Sequence, residues 1–403
     1  MEQSEFTGAL DGITVLDCGI ILQGPQSGQM LSDLGAHVIK IEQPGIGDTA
    51  RWLPVGFPDD MRAPWYIAAN RGKRSVTLDL RTDQGREIFL KMAETADVVL
   101  SNFATGTMDR WGLSYEALHA RNSQIVVATA NAYGPVGPDA LRKGADLGGQ
   151  AQGGLVNTTA NLPAGARPVA VTIADHIGAQ NLTIAILAAL MARPTIGRGQ
   201  HVDVSLFGGQ IFAQAPELTG HFLSGHQTHS PLPGHPMLSM FYGVFATADG
   251  HIALVGVPGE TKRAELWDLL GAPEHVTNEG FNAPVLSPST QAELFTILNN
   301  LFTAKTTEQW CDLFRAHEIR YAPVNSYADI EADEGAYLNG YLQKVDHPEW
   351  GEVTQIGSPI RMSHTPTQPG RFAPELGQNT EEVLLEYGWN WDDLGELREQ
   401  GVI

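Results

Sequence analysis

The chain has 403 residues, 46 of them acidic and 25 basic, for a formal charge of −21. Such a surface repels nucleic acid and anionic membranes, so neither is an expected partner, and the length exceeds one compact core, which predicts two domains or one large domain with an insertion. Cys18 and Cys311 lie in different halves without metal-ligand spacing, as expected of a reduced, cytoplasmic protein; the opening MEQSEFTGALDG lacks a signal peptide's cationic start, and no segment has the roughly 18 uninterrupted apolar residues of a membrane span.

In chain order, GITVLDCG (12–19) predicts a strand, PQSGQMLSDLG (25–35) a helix from its leading Pro to its terminal Gly, and HVIKIEQ (37–43) a second strand. The alternation continues through the strand SVTLDL (75–80), the helix GREIFLKMAETA (85–96), and the strands DVVLSNF (97–103) and QIVVATANAYG (124–134). The N-terminal half therefore reads as a doubly wound, mostly parallel sheet with its ligand at the strand carboxyl ends. In AVTIADHIGAQN (170–181), Asp175 stands where an apolar β-like run gives way to a long apolar helical pattern. Its simplest role is a helix cap, since Asp accepts orphan backbone N–H groups there; the alternative is a reagent.

GHFLSGHQTHSPLPGHP (220–236) has neither helical nor strand period and reads as a linker. MFYGVFATADGHIALVGV (240–257) predicts two strands around an Asp249–Gly250 turn, followed by helices at 260–271, 290–303 and 307–317, a smaller α+β unit. The chain then gives the strand EVTQIG (352–357), the Pro-rich SHTPTQPGRFAPELG (363–377) and the acidic helix NTEEVLLEYG (379–388).

His221, His226, His229 and His235 share no spacing with a carboxylate or thiol, so a solvated linker outweighs a metal site and no metal is expected. Gly19, Gly24 and Gly28 miss the G-x-G-x-x-G spacing of a nicotinamide-binding turn, although Glu42 ends the next strand where a ribose-binding acid could stand. Neither a G-x-S-x-G elbow nor a Gly-rich loop ending in Lys-Ser or Lys-Thr is present, which argues against a serine hydrolase and a nucleoside triphosphatase. Cations gather at Arg71, Lys73 and Arg74, at Arg110, and at Arg142 and Lys143, each group beside a predicted strand. Two readings stand: solvated surface charge, or convergence on a multiply phosphorylated ligand.

Taken in order, GITVLDCGIILQGPQSGQMLSDLGAHVIKIEQPGIGD, NRGKRSVTLDLRTDQGR, SNFATGTMDRWGLSYEAL, ADHIGAQNLTIAILAALMARPTIGRGQHVDVSLF, GSPIRMSHTP and APELGQNTEEVL run through nearly the whole chain. Together they resemble the class III coenzyme A transferases of the formyl-CoA and carnitine-CoA type, the CaiB/BaiF family. The resemblance implies a nucleophilic aspartate at Asp175. It implies CoA contacts at Leu22 and Gln23, at Asn70, Arg71, Gly72 and Lys73, at Asn102, Phe103 and Ala104, at Arg110, and at Lys143, Gly144, Ala145 and Asp146. The family's Lys-x-x-acid element is matched by Lys143 to Asp146, its acid 29 residues before Asp175.

The implied fold is α/β, with a Rossmann-like, doubly wound large domain formed by both chain ends (1–220 and 331–403), a linker and small α+β domain inserted at 221–330, and an interlocked homodimer. The implied activity moves CoA from an acyl-CoA thioester to a carboxylic acid through a mixed anhydride and an aspartyl-CoA thioester on Asp175. Acyl-CoA is then a substrate, and no cofactor is tightly bound. Two features depart from the formyl-CoA subgroup: PLPGHPMLSMFYG (231–243) lacks its run of glycines, and its site glutamine falls where Leu22 stands, with Gln23 one position later. An α-methylacyl-CoA racemase would need the histidine of a Gly-His-Asp element, whereas this chain has Gly144-Ala145-Asp146. His176 is a poor substitute, because adjacent helix residues point in different directions. A non-catalytic CoA-binding protein is the third reading, and the presence of Asp175 speaks against it.

Overall fold

Short apolar runs rich in Val and Ile become the strands of one sheet in the computed structural model, which describes residues 8–53, 63–159, 165–226, 232–235, 237–282, 286–368 and 371–403. The chain divides into two compact units. One comprises Met1–Gly154, Val169–Ala213 and Glu334–Ile403; the other comprises Leu155–Pro168 and Gln214–Asp333.

In the first unit, β1 (Thr14–Asp17), β2 (His37–Glu42), β3 (Arg74–Thr77), β4 (Val98–Ser101), β5 (Val126–Asn131) and β6 (His201–Ser205) pair in parallel in the order β3-β2-β1-β4-β5-β6. The order reverses between β1 and β4, and the crevice outside the carboxyl ends at such a switch point is where open α/β sheets take ligands. The helices are α1 (Gln23–Asp33), α2 (Pro64–Asn70), α3 (Asp83–Ala93), α4 (Thr107–Arg110), α5 (Tyr115–Arg121), α6 (Asp146–Gln152), α7 (Ile173–Ile196) and α8 (Leu206–Ala213). Because strand residues alternate faces, Val15, Val38, Val98 and Val126 bury against Leu31, Leu182 and Ile186. Leu16, Ile39, Val99 and Val127 go the other way, into a core with Phe89, Leu118, Val383 and Leu394.

Three local readings change. Helix α1 opens at Gln23, two residues before Pro25, and β1 already ends at Asp17, so the turn between them lies two residues earlier than the sequence suggested. Residues 170–172 form no strand, and α7 starts at Ile173 after Thr172. The parallel edge strand β6 escaped the reading because its alternation is short and polar on one face. Helix α7 is long and apolar enough, by length and composition, to cross a membrane. Its stripe Ala174, Gly178, Leu182, Ile186 and Ala189 is buried, however, and Leu182, Ile186 and Ala189 pack in the same core as β1, β4 and β5.

In the second unit, α9 (Ala215–Ser224) occupies the start of the expected linker. There follow β7 (Tyr242–Ala246), β8 (His251–Val255), α10 (Glu260–Leu270), α11 (Glu279–Asn282), α12 (Pro288–Phe302), α13 (Thr307–Ala316), β9 (Tyr321–Pro323) and α14 (Tyr327–Ala332). Strands β7, β8 and β9 pair antiparallel over an aromatic core of Phe245, Trp267, Phe302, Trp310 and Phe314.

The chain returns to the first unit with α15 (Glu334–Leu338), the hairpin β10 (Leu342–His347) and β11 (Gly351–Ile356), α16 (Thr380–Glu386) and α17 (Trp391–Glu399). This last segment fastens to the β3 edge: Asn379 N–H donates to Ser75 O (2.9 Å), Thr77 N–H to Thr380 Oγ1 (3.0 Å) and Asp79 N–H to Val402 O (2.8 Å).

Candidate active site

The turn after β1 is held by buried ions. Lys73 Nζ donates to Asp17 Oδ2 (2.6 Å), Pro25 O (2.6 Å) and Asn70 Oδ1 (2.7 Å), and both charged side chains are fully buried. Lys40 Nζ pairs with Asp48 Oδ2 (2.9 Å) and donates to Gly19 O (2.8 Å). Asp48 Oδ1 accepts the N–H of Ile21 (2.8 Å), while Asn102 at the end of β4 takes Ile20 N–H (2.7 Å) and donates to Ile20 O (2.9 Å). Gripped from both sides, Ile21 adopts φ +64°, a left-handed conformation that costs a β-branched residue about 1–3 kcal/mol. The glycines of this turn allow close approach. A methyl group at Gly24 would strike Asn102 Oδ1 (2.9 Å), and one at Gly28 would strike Asp17 Oδ2 (2.5 Å).

A different arrangement marks the start of α7. Asp175 is the third residue of that helix, and it is not the cap. Asp146, at the start of α6, does the capping: its Oδ1 accepts the N–H groups of Ala174 (2.7 Å) and Asp175 (3.2 Å). Gln150, itself buried, donates to Asp146 Oδ2 (2.6 Å) and accepts Val169 N–H (3.0 Å), so the capping carboxylate is fixed. Among the described residues, the half-buried Asp175 carboxylate has no hydrogen-bond partner. Burial, and secondarily the Asp146 charge, raise its pKa to about 7. A helix N-terminus by itself favours an ionised carboxylate; desolvation and the neighbouring carboxylate outweigh that effect at Asp175. His176 turns away toward α1, where its Nδ1 meets Gln26 Oε1 (2.6 Å), and burial lowers its pKa.

The other expected contacts sort into two groups. Leu22 and Gln23 are buried where α1 begins. Asn102 clamps Ile20 as described, Phe103 packs edge-on against Trp111 (5.3 Å between ring centroids), and Ala104 is exposed; all three follow β4 at the switch point. Arg110 is exposed, its guanidinium reaching Thr107 Oγ1 (2.8 Å). Lys143 is exposed, and Gly144 and Ala145 lead into Asp146, with Gly144 against the Tyr133 ring. Asn70, Arg71, Gly72 and Lys73 are instead engaged inside the fold. Arg71 is buried in a two-pronged pair with Asp33 (3.1 and 2.5 Å), Gly72 N–H donates to Phe372 O (3.1 Å), and Lys73 has its three protons taken. Convergence of that cation group on phosphates is therefore corrected: an ammonium with three buried acceptors has none to offer a ligand. Glu42 is corrected likewise, because its carboxylate accepts from Arg51, Ser75 and the N–H of Asp48.

Sequence reading missed Gln150, Asp48 and Lys40. Lys40 had a signal, a cation between two isoleucines in the middle of an apolar strand; Gln150 had none. Of the four linker histidines, His235 pairs with Glu217 (2.8 Å), His221 Nδ1 meets His226 O (3.1 Å), and His229 lies outside the described residues. Among the described residues, no group of three or more His, Cys, Asp or Glu is placed to hold a metal.

Residues 10–380 match the model of CoA-transferase family III, and the chain belongs to that family. It is 32% identical to a succinate–glutarate CoA-transferase of Agrobacterium fabrum, over 94% of this chain and 95% of that protein. It is 30% identical to the succinyl-CoA:glutarate CoA-transferase of Homo sapiens, over 98% and 90% respectively. The crystal structure of a CaiB/BaiF family protein from Brucella suis aligns with a TM-score of 0.83 at 31% identity, covering 94% of this chain and 100% of that one. The chain is accordingly an enzyme of the CoA-transferase class.

Proposed function

We propose that this enzyme transfers CoA between two carboxylic acids with Asp175 as covalent carrier. The observation that carries the reading is that Asp146 relieves Asp175 of the capping role, leaving a carboxylate with no partner among the described residues at a helix N-terminus. In the first step an Asp175 oxygen attacks the thioester carbonyl, the C–S bond breaks, and CoA thiolate leaves a mixed anhydride. The thiolate then attacks the aspartyl carbonyl, releasing the donor acid as its carboxylate and forming an aspartyl-CoA thioester. The acceptor carboxylate attacks that thioester to give a second anhydride and free thiolate. Attack of the thiolate on the acceptor's carbonyl yields the new acyl-CoA and restores Asp175. Protons balance throughout, since each nucleophile and leaving group is an anion.

Leu22 and Gln23 at the start of α1 and residues 102–104 after β4, with Arg110 and Lys143, are the proposed CoA contacts, the exposed cations meeting its phosphates. The relatives named for succinate and glutarate support dicarboxylic acids as the exchanged pair. Exposed apolar side chains in the first unit, Ile184, Met191 and Phe212, support a homodimer. The free cysteines Cys18 and Cys311 support a cytoplasmic location. The racemase reading lacks its histidine: position 145 is alanine, and His176 is turned to Gln26.

Incubating succinyl-, acetyl- and formyl-CoA with mono- and dicarboxylates, in deuterated water and with thioester products weighed by mass, tests the reading. New thioesters from dicarboxylates are expected. Deuterium entering a 2-methylacyl-CoA without acid exchange, or no product with any pair, overturns it.

A further inference from the structure

Gln23 opens α1, is 4% exposed, and among the described residues its Nε2 has no hydrogen-bond partner. A buried amide donor left unmade is a cost the fold does not ordinarily carry. Its position explains why it persists. A methyl group at Gly178 would collide with Gln23 Nε2, so the amide fills the place that a side chain at 178 would take on α7. Helical side chains lean toward the N-terminus, and residues three apart lie on one face. The space over Gly178 is therefore the space beside Asp175. The approach is also enforced from the other side. Ile21 is held in its left-handed conformation by Asp48, Ile20 is clamped by Asn102, and Ser27 Oγ meets Thr183 Oγ1 (2.9 Å) one turn further along both helices.

We infer that Gln23 is a catalytic residue, its Nε2–H donating to the oxyanion that develops when the Asp175 carboxylate adds to the thioester carbonyl. This rests on the proposed covalent role of Asp175. A donor that is unpaired in the ground state and gains its partner as charge develops is what transition-state stabilisation requires. The strained turn is then the device that carries Gln23 to the nucleophile. Addition places the negative charge on the former carbonyl oxygen, and collapse expels CoA thiolate, so Gln23 donates a hydrogen bond without transferring its proton.

The test uses the full chain with succinyl-CoA. Gln23→Met keeps the shape and removes the amide; Gln23→Glu keeps the shape and offers acceptors. Each is expected to lower kcat by about 30- to 1000-fold, with the KM for acyl-CoA within about threefold. Single-turnover labelling of the Asp175 peptide should slow in proportion, while Gln23→Met unfolds no earlier than wild type because the orphan donor is gone. Gly178→Ala, which displaces the amide from outside, should slow labelling too. A Met variant with kcat within threefold of wild type overturns the inference, as does one that raises KM while labelling at saturation is unchanged. A wild type that exchanges CoA without labelling Asp175 overturns the proposed function itself, whereas a labelled wild type beside an unimpaired Met variant overturns only the role of Gln23.

Discussion

The turn after β1 and the start of α7 both place charge in poorly solvated surroundings, and they treat it in opposite ways. Around the turn, Asp17, Lys73, Lys40 and Asp48 are fully buried and mutually paired. At α7, Asp175 faces a second carboxylate and has no partner among the described residues. A matched buried pair shapes the backbone and is chemically inert; an unmatched acid is poised to react. Residue type alone does not separate the two, and partner geometry does.

The largest effect on the paired side should come from Lys73→Met. Removing one member of a buried pair leaves Asp17 charged without compensation, a loss of about 3–5 kcal/mol in urea unfolding. A loss below about 1 kcal/mol, accompanied by a raised KM for acyl-CoA, would return Lys73 to the ligand site.

Next comes the opposite sign at Asp175. Its folded pKa is raised to about 7, so between its unfolded value and 7 the folded state holds a proton that the unfolded chain has lost. Stability therefore falls as pH rises through that window. Asp175→Asn cannot ionise, and it should be more stable than wild type at pH 8 by on the order of 1–3 kcal/mol, with the difference gone near pH 4. A helix cap would show the reverse, a variant no more stable at any pH. Activity follows the ionised form, so kcat/KM should rise with pH and level off above about 7. Asp146→Asn keeps a competent cap but removes the neighbouring charge, and should move this acid limb to lower pH, by less than the shift that burial alone sustains. An unmoved limb would detach Asp146 from the nucleophile.

The smallest effect is expected at Ile21. Glycine tolerates φ +64° but costs chain entropy, so Ile21→Gly should change stability by no more than about 1 kcal/mol, in the stabilising direction. A larger destabilisation would mean that the side chain, rather than the grip of Asp48 and Asn102, sets the turn.

Much of the sheet was legible in the sequence because Val- and Ile-rich runs of fixed length, separated by helical patterns, leave little choice of topology. Asp175 was legible as a junction residue, and resemblance gave it a chemistry. Its freedom from capping was not legible, because the cap is supplied by Asp146 from another helix. The fate of the cations at 71 and 73 was equally hidden. A Lys beside a strand end has the same local signature whether it meets a phosphate or Asp17, and the choice lies with a carboxylate 56 residues away.

The most direct measurement is a hydroxylamine quench of the wild type and Asp175→Asn during a single turnover with succinyl-CoA, followed by peptide mass analysis. A hydroxamate on the Asp175 peptide of the wild type, absent from an Asn variant that is folded, binds CoA and has lost at least about a thousandfold in transfer, is the predicted result. An active Asn variant free of deamidation, or a wild type that transfers CoA with no hydroxamate at Asp175, would contradict it.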